Sequence, residues 1–88
     1  MIHVEFSQKF IRMFGKLALP LQKDVLRKIE LFKNPKNHRE LRVHKLHGVM
    51  SGRLSFSVNF HFRIVFQYKK GSTKEVVLLA IGDHEIYD

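Results

Sequence analysis

The chain has 88 residues, with 16 Lys+Arg against 8 Asp+Glu and a formal net charge of +8 with His neutral. That length holds a single domain over residues 1–88 and leaves no room for a second. The chain has no cysteine, which excludes a disulfide framework, a thiolate nucleophile and a Cys-based zinc site. No apolar run approaches the ~18 residues of a membrane span. The start, Met1-Ile2-His3-Val4-Glu5, has neither the basic nor the apolar region of a signal peptide. A small cytoplasmic domain with no membrane partner is expected. Its charge excess points to an anionic partner, nucleic acid or acidic protein.

In chain order, Ile2, Val4 and Phe6 alternate with His3 and Glu5, which predicts a short strand. Ser7 is placed to cap a following helix. Phe10, Ile11, Phe14 and Leu17 form a helical apolar stripe, with Lys9, Arg12 and Lys16 off it. Pro20 suits the first turn of a second helix, in which Leu21, Val25, Ile29 and Phe32 recur on one face. The two helices read as a hairpin whose apolar stripes face the sheet.

The period then changes to two. A strand is expected from Arg42 to Leu46, ending near Gly48. Leu54, Phe56, Val58 and Phe60 alternate with Ser55, Ser57 and Asn59. Phe62, Ile64, Phe66 and Tyr68 alternate with Arg63, Val65 and Gln67. These two runs predict a hairpin turning near Asn59–His61; no Asn-Gly pair marks the turn, so the sequence does not specify its type. Val76 to Ile81 is apolar throughout, as in a strand covered on both faces. The order β-α-α-β-β-β-β is that of an α+β two-layer domain: an N-terminal strand, a helical hairpin, then a mostly antiparallel four-stranded sheet.

Three constellations carry chemistry. From Lys33 to Arg53 the chain has six Lys/Arg (Lys33, Lys36, Arg39, Arg42, Lys45, Arg53) and one acid, Glu40, with His38, His44 and His47 among them. Clustered cations bind phosphates by charge and counterion release, although a solvated basic loop has the same composition. On the hairpin, Ser55, Ser57, Asn59, Arg63 and Gln67 would face away from the helices. A mid-strand Arg63 offers a planar fork for a phosphate or is merely solvated. At the C-terminus, His84 and Tyr87 follow the apolar strand and are able to transfer protons, unless the tail simply frays. His44-Lys45-Leu46-His47 has the look of metal-ligand spacing. Residues three apart on a strand point to opposite faces, however, and no Cys or paired carboxylate completes a site, so no metal is expected. No phosphate-binding loop or dinucleotide fingerprint appears, the glycines at 48 and 52 being too sparse, so no cofactor is expected.

Taken in order, His44-Lys45-Leu46-His47-Gly48, Ser51-Gly52-Arg53-Leu54-Ser55, Phe62-Arg63-Ile64-Val65-Phe66 and Ile81-Gly82-Asp83-His84-Glu85-Ile86-Tyr87 resemble the RelE/ParE toxin superfamily. The YafQ- and YoeB-like branches are the nearest. No single piece is specific, but the ordered set covers nearly the whole chain. The resemblance implies the toxin of a type II toxin–antitoxin pair, a metal-independent endoribonuclease acting on mRNA in the ribosomal A site. It implies an acidic antitoxin as partner, with the free toxin a monomer and the complex a hetero-oligomer. It also implies roles: His84 as general acid, Tyr87 as the aromatic that stacks on or orients substrate, Arg63 on the scissile phosphate, and His44 as general base. His61 lies near an acidic position of YafQ-like proteins. Arg39, Arg42, Lys45, His47 and Arg53 are RNA-contact candidates. The chain departs from the pattern at Ser57, where the YafQ branch places a second catalytic His, and in the spacing of three from His84 to Tyr87. The lysine pair of the RelE branch is not evident on the Leu54–Asn59 strand. A ParE-like gyrase inhibitor and a non-catalytic nucleic-acid-binding relative share the same expected fold.

Overall fold

The computed structural model describes residues 1–83. Strand β1 (His3–Phe6) leads into helix α1 (Gln8–Gly15) and helix α2 (Leu19–Phe32). Strands β2 (His44–Lys45), β3 (Leu54–Ser57), β4 (Arg63–Tyr68) and β5 (Glu75–Gly82) follow. Ser7 caps α1: its Oγ accepts from the Phe10 N–H at 3.0 Å. The same hydroxyl donates to the Leu79 carbonyl at 3.1 Å, so the helix start is tied to β5. Pro20 lies in the first turn of α2, where its missing N–H has no intrahelical partner to lose. The Gln22 side-chain amide donates to the Phe14 carbonyl at 3.0 Å and closes the helical hairpin.

The strands form one sheet in the order β1-β5-β4-β3-β2. Successive strands from β2 to β5 pair antiparallel. β1 completes the sheet by running parallel to β5, with Val4 beside Val76. The β4–β5 register shifts between Val65 and Phe66: Val65 pairs with Ala80, but Phe66 pairs with Leu78. The extra residue is Leu79, whose carbonyl receives the Ser7 hydroxyl. A bulge of this kind reverses the side-chain alternation of the strand that carries it. It puts Val76, Leu78 and Ile81 into the main core while Val77 and Leu79 are half-buried.

The helices cover one face of the sheet. Phe32 is the hub: its ring stacks on Phe56 (centroids 4.3 Å apart) and meets Phe66 edge-on (4.8 Å). All three rings are fully buried. Burial of each stabilises the fold by about 1.5–3 kcal/mol. His38 stacks on the other side of Phe32 at 4.7 Å, and its Nε2 bonds the Phe32 carbonyl at 2.8 Å. A carbonyl only accepts, so Nε2 carries the proton, and His38 serves packing rather than the basic surface.

The structure corrects four expectations. The first is β2, which shortens from Arg42–Leu46 to His44–Lys45. Arg42 sits at φ +57°, in the left-handed region, so the chain is still turning where the strand was expected to begin. The turn is held by Val43 N–H donating to the His38 carbonyl (3.0 Å) and by Ser57 N–H donating to that of Leu41 (2.8 Å). The second is β3, which ends at Ser57, and the turn gains a definite form. Asn59 Oδ1 accepts from the N–H groups of His61 and Phe62, each at 2.8 Å, taking the place of an Asn-Gly turn. The third is Ser55, which does lie on the face away from the helices but is fully buried. The fourth is the stripe of α1. Phe10 enters the core, while Ile11 remains 57% exposed.

Candidate nucleic-acid interface

Arg63 opens β4 directly opposite Ser57, the last residue of β3. Its Nη1 donates to Ser57 Oγ at 3.3 Å, which aims the guanidinium along the end of the sheet. A cleft of about 240 Å³ opens there. Arg63, Arg42, Lys28, Ser57, Asn59 and Phe60 contribute to its walls, as does one carboxylate, Glu40. The ion pairs of the described residues are Arg27–Asp24, Lys33–Glu30 and Lys69–Glu5, all outside this cleft. Lys69 titrates above its ordinary value because it donates a hydrogen bond to the Glu5 carboxylate. Among the described residues, three cations in the cleft therefore face one carboxylate, and none of the three is held in an ion pair. Such an arrangement is chemically suited to an anion, and the guanidinium of Arg63 has the planar fork that matches phosphate.

His44 lies outside the residues that line this cleft, but it shares a face of the sheet with Arg63. His44 pairs with Ser55 and Arg63 with Ser57, which places the two Cα atoms on the order of 12 Å apart from strand spacing and rise. The His44 Nδ1 is 2.8 Å from the Arg42 carbonyl. A carbonyl requires a donor, so Nδ1 carries a proton and the neutral ring keeps its lone pair on Nε2. Nε2 sits 3.5 Å from Ser55 Oγ, at the long limit of a hydrogen bond. The left-handed turn at Arg42 thus sets both its own side chain into the cleft and the tautomer of His44.

The remaining candidates divide. Lys45, His47 and Arg53 line a second cleft of about 310 Å³, with Ser51 and Gly52. Arg53 rests on Met50, its Nη1 3.7 Å from the sulfur. Arg39 is exposed and lines neither cleft. His61 is exposed on the β3–β4 turn, its ring 6.0 Å from that of Phe60. His84 and Tyr87 lie outside the described residues. Sequence reasoning missed Lys28 and Phe60. Lys28 precedes the buried Ile29 and so sits at the border of the apolar face, but only the tertiary fold brings that border to Arg63. Phe60 continues the period-two pattern of β3, which disguises it as a core residue.

Among the described residues, no group of three or more His, Asp or Glu side chains is arranged to hold a metal ion. No helix there is long and apolar enough to cross a membrane.

No family model matches the chain, and neither does any curated protein. Solved structures do match over nearly the full length. The RelBE2 toxin–antitoxin complex from Mycobacterium tuberculosis contains a chain that superposes with a TM-score of 0.70 at 19% identity, covering 94% of this chain and 98% of that one. YafQ from E. coli superposes with a TM-score of 0.68 at 18% identity, over 98% and 97% of the two chains. The YoeB–YefM complex from Staphylococcus aureus gives 0.70 at 12% identity, over 96% and 98%. With a strand, a helical hairpin and a mostly antiparallel five-stranded sheet in the same order, the chain has the fold of the RelE, YoeB and YafQ toxins.

Proposed function

We propose that this protein is the toxin of a toxin–antitoxin pair and that it cleaves mRNA in the ribosomal A site. The observation that carries the reading is the cationic cleft of Arg63, Arg42 and Lys28, none of them in an ion pair among the described residues, on a fold shared with the toxin of a toxin–antitoxin complex. The reaction is transesterification within the RNA. A base removes the proton of a ribose 2′-OH and the oxygen attacks the adjacent phosphorus. The bond to the 5′-oxygen breaks as an acid protonates that oxygen. The products are a 2′,3′-cyclic phosphate and a 5′-OH.

His44 Nε2 is the candidate base: with Nδ1 committed to the Arg42 carbonyl it carries the ring's lone pair, which the Ser55 hydroxyl approaches only at the 3.5 Å limit. Arg63 is the candidate group for the phosphate and for the charge that grows on it in the transition state. His84 is assigned the general acid and Tyr87 the substrate-orienting ring by their positions in the sequence. His61 stands as a further proton-transfer candidate at the mouth of the turn. Lys45, His47 and Arg53 in the second cleft, together with the exposed Arg39, are assigned to RNA flanking the cut. The partner is an acidic antitoxin, which the positive surface favours by charge.

Induced expression in a bacterial host, with mapping of mRNA 5′ ends, tests the reading. Growth arrest with cuts inside translated codons is expected. Arg63→Ala and His84→Ala should each restore growth and lower cleavage by about 10²-fold or more. Full toxicity in both variants overturns the assignment. DNA damage with intact messages would instead identify a gyrase inhibitor.

A further inference from the structure

Phe60 is 89% exposed, one of the most exposed large apolar side chains of the described residues. A single exposed apolar residue needs no explanation by itself. Two further observations set this one apart. Phe60 lines the same cleft as Arg63, Arg42 and Lys28. The turn that carries it is also pinned. Asn59 Oδ1 accepts from the N–H groups of His61 and Phe62, and Val58 N–H donates to the Phe62 carbonyl at 2.9 Å. The ring is thus presented to solvent from a hydrogen-bonded turn, with its edge contact to His61 the one ring contact it makes among the described residues.

An aromatic face held beside a cluster of cations is the combination that binds single-stranded nucleic acid. The cations take the phosphate, and the ring stacks on a base regardless of its identity. We infer that Phe60 is the stacking platform for the nucleobase next to the phosphate held by Arg63, and hence a substrate-positioning residue of the cleft. The inference rests on the RNA reading of that cleft. It adds a base-binding subsite built from the β3–β4 turn, independent of the C-terminal residues.

The chain contains no tryptophan, so Phe60→Trp introduces a single fluorescent reporter at the point in question. The probe is a fluorescein-labelled decaribonucleotide with every 2′-hydroxyl methylated to prevent cleavage. Its binding is followed by anisotropy, and the tryptophan emission is followed with the same decamer unlabelled. Binding by Phe60→Trp close to wild type is expected, with tryptophan emission quenched as the decamer saturates. An abasic decamer of the same length should leave the emission unchanged. Phe60→Ala should bind about tenfold more weakly, within the range of one lost base stack. The slope of its affinity against salt should be unaltered, because no cation has been removed. Arg42→Ala, by contrast, should flatten that slope.

If the decamer binds while the tryptophan emission does not change, or Phe60→Ala binds as wild type does, the stacking assignment is overturned and the cationic cleft remains. The same holds if the abasic decamer quenches equally. If neither the wild type nor any variant binds the decamer at low salt, the assignment falls together with the RNA reading. Circular dichroism of each variant confirms that the exposed substitution leaves the fold in place.

Discussion

Two clusters of phenylalanine flank the helical hairpin, and they differ in how they end. Phe32, Phe56 and Phe66 are fully buried and in mutual ring contact, with His38 closing the stack. Phe6, Phe10 and Phe14 also approach one another, with centroids 5.7 and 6.3 Å apart. Phe6 is 47% exposed, however, and the cluster opens into an apolar groove of about 200 Å³ with Ile11 and Leu26 on its walls. The closed cluster lies under β3, whose last residues turn directly into the Arg63 cleft. The open cluster lies at the opposite edge of the sheet, beside β1. The same residue type therefore anchors the candidate site at one edge and leaves accessible surface at the other. A site needs side chains held by packed elements, and the closed cluster supplies that beneath Ser57 and Arg63.

Three substitutions break or sharpen this contrast. Phe32→Ala should have the largest effect, a loss of about 3–5 kcal/mol in urea denaturation, because the ring is enclosed on every side. In a domain of this size that approaches the whole stability, so the variant should be largely unfolded at 37 °C. Ser7→Ala should have an intermediate effect of about 1 kcal/mol, from the cap of α1 and the tie to Leu79 together. Ile11→Ser should be nearly silent, within about 0.5 kcal/mol, because the side chain is already half in water. A loss of 2 kcal/mol or more at Ile11 would show that the open groove is part of the core in solution. Conversely, a silent Phe32→Ala would remove the distinction between the clusters.

Much of the fold was legible because its signals are local. Ser7 caps where a serine before a helical stripe should. Pro20 begins α2, and Val25, Ile29 and Phe32 are buried as their spacing predicts. The β3–β4 pair follows from two adjacent alternating runs. The errors arose where one residue's environment depends on a distant segment. Ile11 has the spacing of a core residue, but α1 is only two turns long and turns Phe10 rather than Ile11 onto the sheet. Ser55 is polar and on the far face, yet buried. The start of β2 was misjudged because Arg42 adopts a left-handed conformation that nothing in its residue type signals.

The candidate site divides in the same way. Arg63 and its partner Ser57 were recoverable from strand alternation, and Arg42 from the local density of charge. Their convergence with Lys28 was not, since α2 and β4 are brought together only by packing across the Phe32 core. Nor did residue type reveal that Phe60, in phase with Phe56, would leave the strand and stand in solvent at the lip of that cleft. The sequence by itself determined the charge excess, the order of elements, and the ordered motifs that resemble the RelE/ParE toxins. Those properties are carried by neighbours along the chain or by simple counts. The tertiary structure alone decided the parallel docking of β1 on β5, the bulge at Leu79, and the tautomer of His44. It alone decided which cations of the +8 excess share one cleft. Each of these depends on contacts between segments far apart in sequence, whose geometry no local pattern encodes.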